Sequence, residues 1–412
     1  MGKRISFVSR LVVGLLFCII LGTWPISSMA ADVIKLGAPL PLTGDYAADG
    51  EHQLMGLQMA VKDLNSAGGL LGKDLKLVTY DIKNLSAEDV NGSAKFLIKR
   101  EKVDVVIEGY GGYGPDWLTF GAMSNVPFLH GSGSSNANNL TAKDPKKYSN
   151  MFQYFSPETD YGIRAYQGLS YFEKSYQYPN KKIAIIYGDL EWDITYTRAV
   201  KELANNDGWE VVLDEKVPYG TTDWGPILTK IRQEQPAAIC ISILSVPDIA
   251  SFVKQFMENP TPSLLDISYM VVFKEVQDAV GESLMGVMGY VTSYVIPTPE
   301  GKAWKKRFKD EFGMEVPLTT PPSTYDATMI WATAVKAVGD SKNYSKINAF
   351  IKNNPYKGLL GTYDFNNPGQ GVSPGKDFPI AYGQYQGAGK LAFFGVDDFQ
   401  LPKYIQPAWP KK

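Results

Sequence analysis

The 412-residue chain has only two cysteines, Cys18 and Cys240, and two histidines, His52 and His130. Cys18 lies in an amino-terminal apolar run, so a chain that loses this run keeps Cys240 alone and makes no internal disulfide. Within "AAICISIL", Cys240 reads as a small buried hydrophobe and not as a nucleophile. The histidines are far apart, and no H-E-x-x-H, C-x-x-C or clustered metal-ligand pattern occurs. Neither a G-x-S-x-G elbow nor a G-x-x-x-x-G-K-[ST] phosphate loop is present. With no recognisable nucleophile–base pair, the chain reads as a binder and not an enzyme, with no cofactor and no metal. Charge of one sign is lacking too, since 41 Lys and Arg stand against 43 Asp and Glu, a net charge of −2. That balance argues against nucleic acid or an anionic membrane surface as the main partner.

Long apolar runs are scarce. One opens the chain: Lys3, Arg4 and Arg10 form a basic segment before the apolar stretch Leu11 to Trp24. The stretch is shorter than the roughly 20 residues of a spanning helix, and Pro25 interrupts its end. Ser28-Met29-Ala30 supplies small residues for a signal peptidase, so cleavage after Ala30 and export to the periplasm are expected. The remaining length fits two domains.

What the chain does have is an alternation of strand-like and helix-like periods. "VIKLGAPLPL", "LKLVTYD", "VDVVIE" and "VPFLH" read as strands, with helical spacing between them. The pattern restarts after "MFQYFSP" with "KKIAIIYGD", "WEVVLDEKV", "AAICISIL" and "LLDISYMVV". Strand–helix alternation implies parallel sheets covered on both faces, here in two α/β lobes facing a cleft. Ligands sit beyond the carboxyl ends of such strands. There the chain places "GYGGYGP" and "GSGSSN", glycine-rich loops that expose N–H groups at helix starts, a setting suited to an anion.

Gly109, Gly111 and Gly114 satisfy the G-x-G-x-x-G spacing of a dinucleotide site. No carboxylate follows about 20 residues on, where a ribose contact belongs, and the motif follows the third strand instead of the first. A loop whose backbone approaches a small ligand, flanked by Tyr110 and Tyr113, is the better reading.

"IKLGAPLPLTGDYAADGEHQLMGLQMAVKDLNSAGGLLGKDLKLVTYD" resembles the opening of the leucine/isoleucine/valine-binding protein family, the type I solute-binding proteins of ABC importers. "KFLIKREKVDVVIEG", "TTDWGPILTKIRQEQPAAICIS" and "TYDATMIWATAVKA" continue the likeness over nearly all of the processed chain. The resemblance implies an α/β fold of two lobes, parallel sheets flanked by helices, joined by three hinge crossings. On this reading lobe 1 comprises residues 31–154 and 291–357, and lobe 2 residues 155–290 and 358–412. A small ligand between closing lobes, an inner-membrane ABC permease as partner and a monomeric state are implied as well.

Carried over residue by residue, the resemblance places Gly111, Gly112 and Tyr113 in the first ligand loop and Gly133, Ser134 and Ser135 in the next. Backbone N–H groups and hydroxyls there hold an amino acid's carboxylate in relatives, and Ser135 is the expected anion contact. Gly112 replaces a frequent serine. Trp192 takes the place of a tyrosine that packs on the ligand, and Ser245 falls near an often aromatic position. Phe273, Lys274 and Glu275 span the region of the acidic ammonium partner; Glu275 fits that role, with a capping or surface role as the equal alternative. Tyr46, Tyr110, Tyr113, Trp117, Tyr161 and Trp192 lie at or near the cleft loops, where they stack on a ring, surround a substituted ammonium or pack the lobe cores. Import of an amino acid or related compound is the leading reading. Sensing for a membrane receptor, and binding of aromatic or quaternary-ammonium compounds, are the alternatives.

Overall fold

The computed structural model describes residues 33–110, 118–175, 178–375, 378–387 and 390–394. Two sheets organise it. In the first lobe, strands β1 (Ile34–Leu40), β2 (Leu75–Asp81), β3 (Val105–Glu108), β4 (Phe128–His130) and β5 (Met151–Gln153) form an all-parallel sheet in the order β2-β1-β3-β4-β5. Helices α1 (Ala47–Ser66), α2 (Ala87–Ala94), α3 (Leu118–Met123) and α4 (Ser135–Lys143) follow the first four strands in turn. Parallel pairing demands such crossovers, which cover the sheet and make its strands nearly all apolar. Ser86 starts α2, its hydroxyl accepting from the Asp89 N–H.

The second lobe begins at α5 (Glu158–Ser175) and builds β6 (Lys182–Tyr187), β7 (Glu210–Lys216), β8 (Ala238–Ser242), β9 (Leu264–Asp266) and β10 (Met288–Val291). Between them run α6 (Glu191–Asn206), α7 (Gly225–Glu234), α8 (Val246–Glu258) and α9 (Lys274–Val280). The chain then returns to the first lobe with α10 (Pro299–Phe312), α11 (Pro321–Val338), α12 (Tyr344–Asn353) and the hairpin β11 (Tyr356–Lys357) and β12 (Thr362–Tyr363). Two last strands, β13 (Ala381–Tyr385) and β14 (Leu391–Phe394), join the second sheet antiparallel, giving the order β14-β13-β10-β9-β8-β6-β7.

Core membership shows where the chain changes lobes. Phe155 belongs to the first core and Tyr161 to the second, Val291 to the second and Val295 to the first, Phe378 to the first and Ile380 to the second. These are the three expected crossings. The third lies about 20 residues beyond the expected boundary at 357: Leu360, Tyr363, Phe365, Val372 and Phe378 all pack in the first lobe. The hairpin fixes this course, because Asp326 of α11 accepts from the Leu359 N–H at 2.7 Å and the Tyr363 hydroxyl at 2.9 Å.

Candidate functional site

In both sheets the strand order reverses direction once along the parallel run, between β1 and β3 in the first lobe and between β6 and β8 in the second. Such switch points open a crevice beyond the strands' carboxyl ends. Here the two crevices face each other across a cavity of about 410 Å³, part of it continuous with solvent. Ligand pockets span roughly 300–1,000 Å³.

The first lobe contributes Tyr110, Gly131, Ser132, Gly133 and Phe155, with Thr320 from the residues leading into α11. Backbone dominates because the loops are tightly packed: a Cβ on Gly131 would stand 1.9 Å from the Gly109 carbonyl oxygen. Gly133 has φ +57°, a left-handed conformation that favours glycine. The second lobe contributes rings. Tyr161 stacks on Tyr290 at 4.8 Å between centroids, Trp192 on Tyr196 at 5.5 Å, and Tyr269 on Tyr290 at 5.9 Å. Leu244 and Thr292 complete that wall.

A second space of about 380 Å³ adjoins the first and shares Tyr110, Leu244 and Tyr269 with it. Asp45, Tyr46, Asp49 and Phe273 also line it. Asp49, in the first turn of α1, is buried, and its carboxylate accepts the Tyr110 hydroxyl at 2.7 Å and the Tyr269 hydroxyl at 3.5 Å. One carboxyl group thus ties the two lobes together. Burial raises its pKa to about 7, against the pull of the two tyrosine hydrogen bonds.

The expected residues divide into three groups. Gly133, Tyr161 and Trp192 line the cavity, and Tyr46 lines the adjoining space, edge-on to Tyr110. Gly112 and Tyr113, with Gly111 and Trp117, lie outside the described residues. Ser134, Ser135, Ser245 and Glu275 are not among the described cavity walls. Ser134 caps α4, its hydroxyl accepting from the Ala137 N–H, while its own N–H donates to Gln153 Oε1 at 2.8 Å. Ser245 caps α8 in the same manner through Asp248. Glu275 sits exposed in the first turn of α9, where a carboxylate suits the helix dipole.

Ser135 corrects the expectation most sharply. Its N–H and hydroxyl both donate to Glu158 Oε2, at 2.6 and 3.1 Å. The α4 amino terminus does receive an anion, but that anion is the protein's own buried carboxyl group. Burial raises the Glu158 pKa to about 7, with the Ser135 hydrogen bonds opposing it.

Sequence reasoning missed Asp49, Phe155, Tyr269 and Tyr290. The last two lie within apolar runs that read as core, and Asp49 reads as an ordinary acidic residue of a helix's first turn. Behind the first-lobe wall, Glu108 accepts from the Ser132 hydroxyl at 3.3 Å, and burial raises its pKa to about 8. No group of three or more His, Cys, Asp and Glu suited to a metal ion occurs among the described residues. No described helix is long and apolar enough to cross a membrane.

Residues 33–381 match the sequence model of a family described as periplasmic binding protein. Leu/Ile/Val-binding protein homolog 6 of Brucella suis biovar 1 (strain 1330) is 22% identical over 339 residues, covering 79% of this chain and 82% of that protein. A solved structure described as a candidate branched-chain amino acid ABC transporter from Silicibacter pomeroyi superposes with a TM-score of 0.83 at 28% identity, covering 92% of this chain and all of that one. A solute-binding protein from R. palustris, solved with benzoate, gives 0.73 at 20% identity over 88% of this chain and 96% of its own.

Proposed function

The chain belongs to the periplasmic binding protein family, of the branched-chain-amino-acid ABC transporter type, and from that premise we propose that it captures one small molecule in the inter-lobe cavity. Members of this family bind small ligands and work with ABC permeases. Here the chain is exported with removal of residues 1–30, acts as a monomer and hands its ligand to an inner-membrane permease. It makes and breaks no bond.

The observation that carries this reading is the cavity itself: a single space walled by both lobes, whose second-lobe wall is a stack of Tyr161, Trp192, Tyr269 and Tyr290. Three chain crossings let the lobes move as bodies around it, which is the hinge mode of closure. Gly133, Tyr161, Trp192 and Tyr269 contact the ligand. Ser134 and Ser135 shape the loop that bears Gly133 and make no contact.

A thermal-shift screen of the exported protein tests this, with amino acids, aliphatic and aromatic amines, and the matching acids. A ligand at 100 times its Kd stabilises the folded state by about 2.7 kcal/mol, well within detection. One or a few related compounds raise Tm with one-to-one stoichiometry, and Trp192→Ala weakens their binding at least tenfold. Chemical turnover of a stabilising compound, or full affinity in Trp192→Ala, contradicts the proposal.

A further inference from the structure

The ligand chemistry is written in the charges around the cleft. Among the described residues lining the cavity and its adjoining space there is no Lys, Arg or His. Acids line the adjoining space instead, Asp45 and the buried Asp49. The amino-terminal end of α4, which could offer donors to an anion, is occupied internally: the Ser135 N–H donates to Glu158, and the Ser134 N–H donates to Gln153. Thr320 Oγ1, buried in the cavity wall, has no hydrogen-bond partner among the described residues. A hydroxyl of this kind serves a ligand N–H as an acceptor.

We infer that the cavity takes a compact organic cation, an ammonium group on an apolar or aromatic body, with Asp49 as its counter-charge. This rests on the inter-lobe cavity being the ligand site. The cation lies against Tyr110 and Tyr269, which are shared by both spaces. Each of these tyrosines donates its hydroxyl hydrogen to Asp49, so its oxygen turns lone pairs outward and its ring gains electron density. Electron-rich rings attract a cation held over their faces, most strongly where water is excluded. The stack of Tyr161, Trp192 and Tyr290 then receives the apolar body. A ligand carboxylate in the same place meets Asp49 at low dielectric, with no Lys, Arg or His among the described lining residues to answer it.

Matched probes separate the charges from the body. Calorimetric titration uses 3-methylbutylamine, leucine and 4-methylpentanoate, which share one branched chain, and then benzylamine against benzoate. The amine of each series binds at least tenfold tighter than its acid, and 3-methylbutylamine binds tighter than leucine. Asp49→Asn, nearly isosteric and checked by an unchanged Tm, weakens amine binding at least tenfold and leaves acid binding within threefold. The inference is overturned if an acid matches or exceeds its amine, if leucine exceeds 3-methylbutylamine, or if Asp49→Asn leaves amine affinity intact. It is overturned too if none of these probes binds while the wider screen finds a ligand without an ammonium group. If no compound in either set binds, the receptor reading itself fails.

Discussion

The two lobes build their halves of one cleft from different materials. The first lobe offers backbone at Gly131 and Gly133 and the carboxyl groups of Asp45 and Asp49 at the start of α1. The loop between β4 and α4 is internally bonded, through Gln153 to Ser134 and Glu158 to Ser135, and so is fixed before any ligand arrives. The second lobe offers rings that continue into its core: Tyr196, stacked under Trp192, donates to the buried Asp266 at 3.2 Å, and Tyr382 donates to the same group at 2.5 Å. A wall rooted in a core resists deformation, because close-packed interiors transmit strain instead of absorbing it. Shape selection therefore resides in the second lobe and charge selection in the first.

Substitutions on the two sides break this comparison in graded ways. The largest effect belongs to Trp192→Ala, which removes a buried ring shared by wall and core and lowers unfolding free energy by about 3–5 kcal/mol. A denaturant midpoint unchanged from the wild type would place Trp192 in the wall alone. Next comes Glu158→Ala, which leaves the Ser135 donors facing an empty buried position and lowers stability by about 1–3 kcal/mol. If that variant instead gains affinity for carboxylates with no loss of stability, the α4 terminus is a ligand seat after all.

Acidity sharpens the comparison further. Glu108 has its pKa raised by burial from an ordinary 4.5 to about 8, so the folded state retains a proton that the unfolded state has lost. The stability it supports is complete below about pH 4.5 and disappears as pH rises through about 8. Asp49 and Asp193, each raised by burial to about 7, act in the same direction. Tm should fall as pH rises from 5 to 8.5. In Glu108→Gln, neutral throughout, that loss of stability between pH 5 and 8.5 should be smaller than in the wild type. An identical slope in both proteins removes Glu108 as a source. The smallest effect is Ser135→Ala: about 0.5–1.5 kcal/mol of stability, one ordinary hydrogen bond, with ligand affinity changed less than twofold in the same titrations.

Much of the fold is legible because apolar periodicity is a local signal. "LKLVTYD" is β2 from end to end, and "AAICISIL" holds β8. The third crossing escapes it, since Leu360, Tyr363, Phe365, Val372 and Phe378 follow neither a period of 2 nor one of 3.6. The site is less legible for a related reason. That α4 draws an anion follows from local helix physics, but which anion does not: Glu158 lies 23 residues beyond Ser135 and reaches it only through the fold. Asp49 meets Tyr269 across a separation of 220 residues, which no local pattern encodes.

Small-angle scattering of the exported protein, alone and saturated with a compound that raises its Tm, tests the inter-lobe capture most directly. Closure over one bound molecule predicts a smaller radius of gyration with ligand than without it. Saturation with an unchanged scattering curve would place the ligand elsewhere and contradict the account.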